Sequence, residues 1–147
     1  MEGKMSKSKA SRIAVLGVIV AISLFSVNSA RAHQSHNMRI TIPFDFYVSD
    51  KLMPAAEYEV FGWDNAVRVY NPATRLTAGI QTQALGKDTG AVVMAKVVFN
   101  RYGEEYFISE IWWGGRTGAG NVPVLTKREL ELAKTFSPVR IEDRAAR

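Results

Sequence analysis

The chain has 147 residues, 47% of them hydrophobic, with 19 Lys and Arg against 14 Asp and Glu, a formal net charge of +5 and no cysteine. The lack of cysteine excludes thiol catalysis, zinc sites built on thiolates, disulfide frameworks and lipid attachment at a processed N-terminal cysteine. The positive charge is unevenly placed, and its location decides what it means.

Lys4, Lys7, Lys9 and Arg12 stand against one acid, Glu2, at the start of the chain. An apolar run follows from Ile13 to Val27, and small and polar residues lead to Ala30-Arg31-Ala32. A basic start, an apolar stretch of about 7–15 residues and an A-x-A end are the parts of a secretory signal peptide. The run falls short of the roughly 20 residues a bilayer-spanning helix needs. Residues 1–32 are therefore expected to be a signal peptide cleaved near Ala32, in preference to a retained membrane anchor. Without them, 14 bases (19 less five) face 13 acids (14 less one), a net charge of +1. Such a domain has no large field with which to attract phosphate backbones or anionic lipid. The expectation is a periplasmic or secreted protein that meets a membrane only transiently, through its leader. Nucleic acid is not expected as a partner; an envelope or extracellular partner is, with the oligomeric state left open.

Residues 33–37 are polar and expected to be a flexible N-terminus. Arg39 to Val48 alternates, with Ile40, Ile42, Phe44, Phe46 and Val48 on one face, the mark of a half-buried strand. Pro43 places that strand at an edge or kinks it. Ser49-Asp50-Lys51 forms a turn, a further strand ends at Phe61, and Gly62-Trp63-Asp64-Asn65 turns the chain again. Ala66 to Tyr70 is a short strand followed by an Asn71-Pro72 turn. Leu76 to Leu85 is extended, with Gly79 suggesting a bulge or a close backbone approach. After a polar turn over Gly86 to Gly90, Ala91 to Tyr102 and Tyr106 to Trp113 form a long hairpin bent at Gly103-Glu104. Alternation puts Phe107 and Ile111 on one side, Ile108 and Trp112 on the other, so both faces need cover. Gly114 to Asn121 is a loop and Val122 to Leu125 a short strand. Thr126 and Glu129 make a capping box, with Leu125 and Leu130 in the staple positions, for a helix over about 127–135 that ends before Pro138. Residues 38–136 are thus expected to form one all-β domain, a small antiparallel β-sandwich or barrel of six or seven strands with one short C-terminal helix. Residues 137–147 are expected to be a frayed, charged tail.

The stretches ITIPFDFYVSDKLMPAAEYEV and VVFNRYGEEYFISEIWW, followed by Lys127-Arg128-Glu129, resemble a family of uncharacterised, signal-bearing bacterial proteins. That family's pattern runs PFDF, LPAG-x-Y, a hairpin with YG at its bend, and a Trp. The resemblance covers most of the domain and implies a secreted β-domain without an assigned activity. Ala56 stands where the pattern has Gly, which implies a backbone without positive φ there.

Several residues carry candidate chemistry. Cleavage after Ala32 would make His33 the N-terminal residue, whose α-amine and imidazole chelate copper, with His36 as a second imidazole. Copper is the alternative to an expectation of no cofactor. The Gly114–Gly120 run lacks the Lys and following helix of a P-loop and is read as a loop, in which Arg116 is available to an anionic ligand. Glu57 with Glu59, and Glu110 with Tyr106, would share strand faces, but solvated strands carry such pairs routinely. Asp45 sits on the polar face of its strand. No G-x-S-x-G is present and both histidines lie near the N-terminus, so no catalytic residue is assigned. Trp63, Trp112, Trp113, Tyr102 and Tyr106 are either core and cross-strand pairs or a binding platform. Because Trp112 and Trp113 are adjacent, one of them must leave the main core. Trp112, Trp113, Tyr106 and Arg116 are the ligand-binding candidates. The expected function is a non-catalytic binding or envelope-associated structural domain. The alternatives are a small-ligand binder for sugar or lipid, and a copper protein using His33.

Overall fold

A computed structural model of the chain describes residues 35–63, 65–85, 94–115 and 118–145. The leader, His33 and the polar turn at Gly86 to Gly90 lie outside the described residues, as do Asp64 and Arg116. The strands are β1 (His36–Ile42), β2 (Phe46–Val48), β3 (Lys51–Met53), β4 (Ala56–Gly62), β5 (Ala66–Tyr70) and β6 (Thr77–Leu85). They continue with β7 (Lys96–Tyr102), β8 (Glu105–Trp112) and β9 (Gly120–Pro123), then the helix α1 (Lys127–Ala133) and β10 (Val139–Arg144). Among the described residues no helix is long and apolar enough to cross a membrane.

Among the described residues the domain is all-β with one short helix, as its patterning indicates, but the strand count and closure differ from expectation. Among the described residues ten strands form one sheet, hydrogen-bonded in the order β1-β4-β5-β6-β9-β8-β2-β3, with β7 and then β10 branching from β8. The path ends at β1 and β3, its branch ends at β10, and the sheet does not close into a barrel. It is mixed rather than purely antiparallel, because β2 meets β8 in a parallel bridge at Tyr47 and Phe107. The edge of β8 away from β7 is thus shared by β2 and, at Ile111 and Trp112, by β9.

The additional strands have identifiable causes. Pro43 has no N–H for a ladder and divides the alternating segment in two. β1 pairs with β4, whereas β2 pairs with β3 and β8. Ile40, Ile42, Phe46 and Val48 are all buried, so the face assignment survives the break. Asp45 accepts a hydrogen bond at 2.9 Å from the Ala55 amide and so holds the turn that leads into β4. Ala56 opens β4 opposite Ile42 and is not among the positive-φ residues.

The expected frayed tail is instead the strand β10, paired along β7 from Val139 opposite Arg101 to Arg144 opposite Lys96. Only Ile141 and the following Ala145 pack against the core. Ion pairs fasten the rest: Arg140 bonds both Glu110 oxygens at 2.6 and 3.0 Å, and Lys96 meets Glu142 at 3.0 Å.

The core draws on every part of the sheet, with Phe46, Tyr58 and Phe99 among its largest fully buried side chains. Phe46 meets Tyr58 and Phe99 edge-on at 5.2 and 5.5 Å, a favoured geometry for aromatic quadrupoles. The Tyr58 hydroxyl donates to the Pro54 carbonyl, so the buried phenol is satisfied.

The β7–β8 register shifts between Val98 and Phe99, with Val98 opposite Glu110 and Phe99 opposite Ile108. Ser109 is the extra residue of this bulge, and everything after it changes face. Ile108, Ile111 and Trp113 therefore share the core, whereas Phe107 lies outside it. Phe107 is covered by Tyr47, stacked at 5.1 Å, and Tyr102, edge-on at 6.0 Å. The expectation that Phe107 and Ile111 share one side is corrected by that single inserted residue.

The helix begins where expected. Thr126 accepts from the Glu129 amide at 3.1 Å. The other half of the capping box is not made: Glu129 is 3% exposed and its Oε1 has no hydrogen-bond partner. Leu125 and Leu130 are exposed and bury no staple.

Candidate ligand-binding groove

β5 and β6 send Val67 and Ile80 into the core and present Ala66, Arg68, Gly79 and Gln81 outward, paired as Ala66 with Gln81 and Arg68 with Gly79. Small residues on this face leave a shallow floor. Gly79 was expected to mark a bulge or a close approach, but its pairing is regular and a Cβ there would meet nothing nearer than the Val67 carbonyl at 4.0 Å. Its effect is to leave the floor bare.

One wall comes from the β4–β5 turn, where the Trp63 amide donates to the Ala66 carbonyl at 2.8 Å. The opposite wall comes from the β2–β3 turn. The Thr82 amide donates to Asn65 beside β5, so strand alternation turns the odd-numbered groups of β6 toward its other edge. β9 covers that edge only from Thr82 to Leu85. Beyond it, Gly79 O accepts from Ser49 Oγ at 3.1 Å and Thr77 O from Lys51 Nζ at 2.8 Å. Gln81 O accepts from the Val124 amide at 3.0 Å. Buried or edge carbonyls need such partners, and here they seat the Ser49-Asp50 turn against β6. Ser49 adopts φ +54° to make that two-residue turn.

The resulting open groove has a volume of about 580 Å³, lined by Trp63, Arg68, Gly79 and Gln81, with Asp50 and Thr126 on the far side. The Arg68 guanidinium carbon lies 4.8 Å from the Phe61 ring centroid and 5.8 Å from that of Trp63. These are cation–π distances, and they hold the exposed arginine against an aromatic platform. An indole, a positioned cation and convergent polar groups around a bare floor suit a polar ring-shaped ligand.

The expected ligand residues are not brought together. Trp113 is in the core, its Nε1 donating to Asn121 Oδ1 at 2.7 Å. Tyr106 stacks on Phe44 at 4.0 Å and packs against the core. Trp112 is the tryptophan that leaves the core: it is partly exposed, and its Nε1 donates to Glu110 Oε2 at 2.8 Å. Arg116 lies outside the described residues. Of the aromatics singled out, Trp63 lines the groove. The sequence marks Gly79 as a bulge and Asp50 as a turn residue and gives Arg68 and Gln81 no role, because the convergence of these four depends on strand register and not on spacing along the chain.

The remaining candidates resolve into structural roles. Glu57 and Glu59 share a face, and Arg39 spans them, 3.8 Å from the former and 2.8 Å from the latter. Tyr106 and Glu110 do not share a face, since the bulge lies between them. Arg140 hydrogen bonds hold Glu110 below the usual carboxylate range, aided by the Trp112 indole. Burial pushes the Glu129 carboxyl up, against partial relief from Tyr102 and Asn100. His36 stacks on Trp113 with centroids 5.5 Å apart and planes at 15°. His33 is outside the described residues, and among those described no group of three or more His, Asp or Glu side chains is placed to hold a metal ion.

Comparison of the chain with protein families, with curated proteins and with solved structures finds no match.

Proposed function

We propose that this chain is an exported, non-catalytic binding domain that takes a saccharide in the Trp63–Arg68 groove. The groove is the observation that carries the reading: an indole wall at Trp63 with Asp50, Gln81 and Thr126 around a floor left open by Gly79. A sugar ring offers an apolar C–H face to an indole and hydroxyls to carboxylate, amide and hydroxyl side chains, which is the complement of this lining. Sugar is favoured over lipid because the space inside the sheet is taken by Tyr58, Phe46 and Phe99, leaving the polar outer face for the ligand. Export is supported by the leader at residues 1–32, with the periplasm or the medium as destination. The PFDF and YG signatures support membership of the secreted bacterial β-domain family, and the open sheet around one core supports a sandwich over a barrel.

Thermal unfolding of the chain beginning at His33, measured against a panel of oligosaccharides, tests the reading. Binding to the folded state alone raises the midpoint with ligand concentration. The expected result is a rise for at least one saccharide that is lost in Gly79→Leu, which fills the floor. No rise across the panel, or a rise that Gly79→Leu leaves intact, overturns it.

A further inference from the structure

We propose that the saccharide is acidic, with a ring carboxylate bound by Arg68 and hydroxyls donated to Asp50 on the opposite wall. This deepens the saccharide reading and rests on it.

Arg68 differs from Arg39, Arg128 and Arg140 in what holds it. Arg39, Arg128 and Arg140 are each hydrogen-bonded to a carboxylate, at 2.8 Å to Glu59, at 2.6 and 2.9 Å to Glu105, and at 2.6 and 3.0 Å to Glu110. Among the described residues no carboxylate forms an ion pair with Arg68. Its guanidinium lies instead over the Phe61 and Trp63 rings. Stacking occupies the flat face of a guanidinium and leaves its in-plane N–H donors for a planar anion. A carboxylate takes two of those donors at once, which a neutral hydroxyl does not. Across β4 Arg68 faces Phe61, the ring it stacks on, and across β6 it faces Gly79, which puts no side chain on the groove floor beside it.

The far wall sets the polarity of the ligand. Asp50 is exposed at the tip of the β2–β3 turn, and Ser49 anchors that turn to Gly79. From β5 across β6 to this turn is two strand spacings, roughly 10 Å. An ionised aspartate only accepts hydrogen bonds. It repels a carboxylate placed beside it and attracts hydroxyl donors, so a ligand with one acid group binds in one direction. A polyanion charged along its whole length is disfavoured by the same residue.

The test is calorimetric titration of the chain beginning at His33 with cellobiouronate, a disaccharide with one ring carboxylate, and with its neutral counterpart cellobiose, at low ionic strength. The expected result is at least tenfold tighter binding of the acid, with the gap narrowing as salt screens the charge. Arg68→Gln is expected to cost the acid at least tenfold more affinity than it costs the neutral sugar. Gly79→Leu is expected to abolish both, with urea unfolding confirming that each variant is folded. Equal binding of the two sugars, or an equal loss of both in Arg68→Gln, overturns the acidic assignment while the saccharide reading stands. Failure of both sugars to bind overturns the acidic assignment, and the oligosaccharide panel then decides the broader reading separately.

Discussion

The Trp113 indole occupies the space that a side chain at Gly62 would fill: a Cβ there would overlap three atoms of the ring. His36, the cross-strand partner of Gly62, stacks on the same indole. The indole N–H reaches Asn121, whose amide donates to Thr82 Oγ1 at 2.9 Å. One side chain thus joins β1, β4, β9 and β6 at the end of the sheet where the chain turns through Trp63. The wall of the groove begins at the residue after this contact.

Two glycine substitutions should therefore behave in opposite ways. Gly62→Ala forces the Trp113 ring aside, an overpacking expected to cost about 1–3 kcal/mol. Gly79→Ala adds a methyl group to open space in a regular strand and should be neutral or slightly stabilising. Urea unfolding of the two variants checks the contrast, and equal effects would contradict the packing described for Trp113.

Glu129 makes a pH-dependent prediction. Its carboxyl is raised by burial, so the folded state holds the proton more tightly than the unfolded chain does. For a group raised in this way, the contribution is fully present below the unfolded value of about 4.3 and is lost as pH rises through the folded value. Glu129→Gln removes that titration. The variant should match the parent near pH 4 and become more stable than it by about 1 kcal/mol near neutrality, the scale of relieving an unpaired buried polar group. Denaturation midpoints across that range provide the measurement.

Glu110 carries the opposite sign. Held low by Arg140, it contributes stability above the unfolded carboxylate value, and that contribution is lost as pH falls through the folded one. Arg140 is half exposed, so solvent limits the effect to about 1 kcal/mol or less. Glu110→Gln should flatten the acid limb of the stability curve. It should also speed amide exchange in Val139–Arg144, because the lost ion pair is one of those fastening β10 to the sheet.

The legible parts of the fold were those set by local pattern. Ala66–Tyr70, the bend at Gly103 and the Thr126 cap follow from alternation, turn chemistry and capping, all contained within a few residues. The period of two also identified the buried residues on both sides of Pro43, since it reports which face a residue occupies and not whether the strand is continuous. It failed at Ser109, because one inserted residue reverses every later side chain and leaves no mark on composition. β10 was hidden for another reason. Its two-pronged ion pair, Arg140 to Glu110, spans 30 positions, and its one apolar anchor, Ile141, sits among charges. Glu129 was expected to reach back to the cap, but packing beside Tyr102 and Asn100 prevailed over that local option. The groove is the extreme case: Asp50, Trp63, Arg68 and Gly79 come from separate turns and strands, and only Trp63 was noticed as an aromatic.

The central claim, that this outer groove is where the domain binds, is tested most directly by NMR. A ¹⁵N-labelled chain beginning at His33 would be titrated with the saccharide that gives the largest thermal shift, or with cellobiouronate if none does. The account predicts saturable shifts at the Trp63 indole N–H and at the amides of Arg68, Gly79 and Gln81, with the Trp112 and Trp113 indoles unmoved. Shifts centred on Trp112, or no shifts at any ligand concentration, would contradict it.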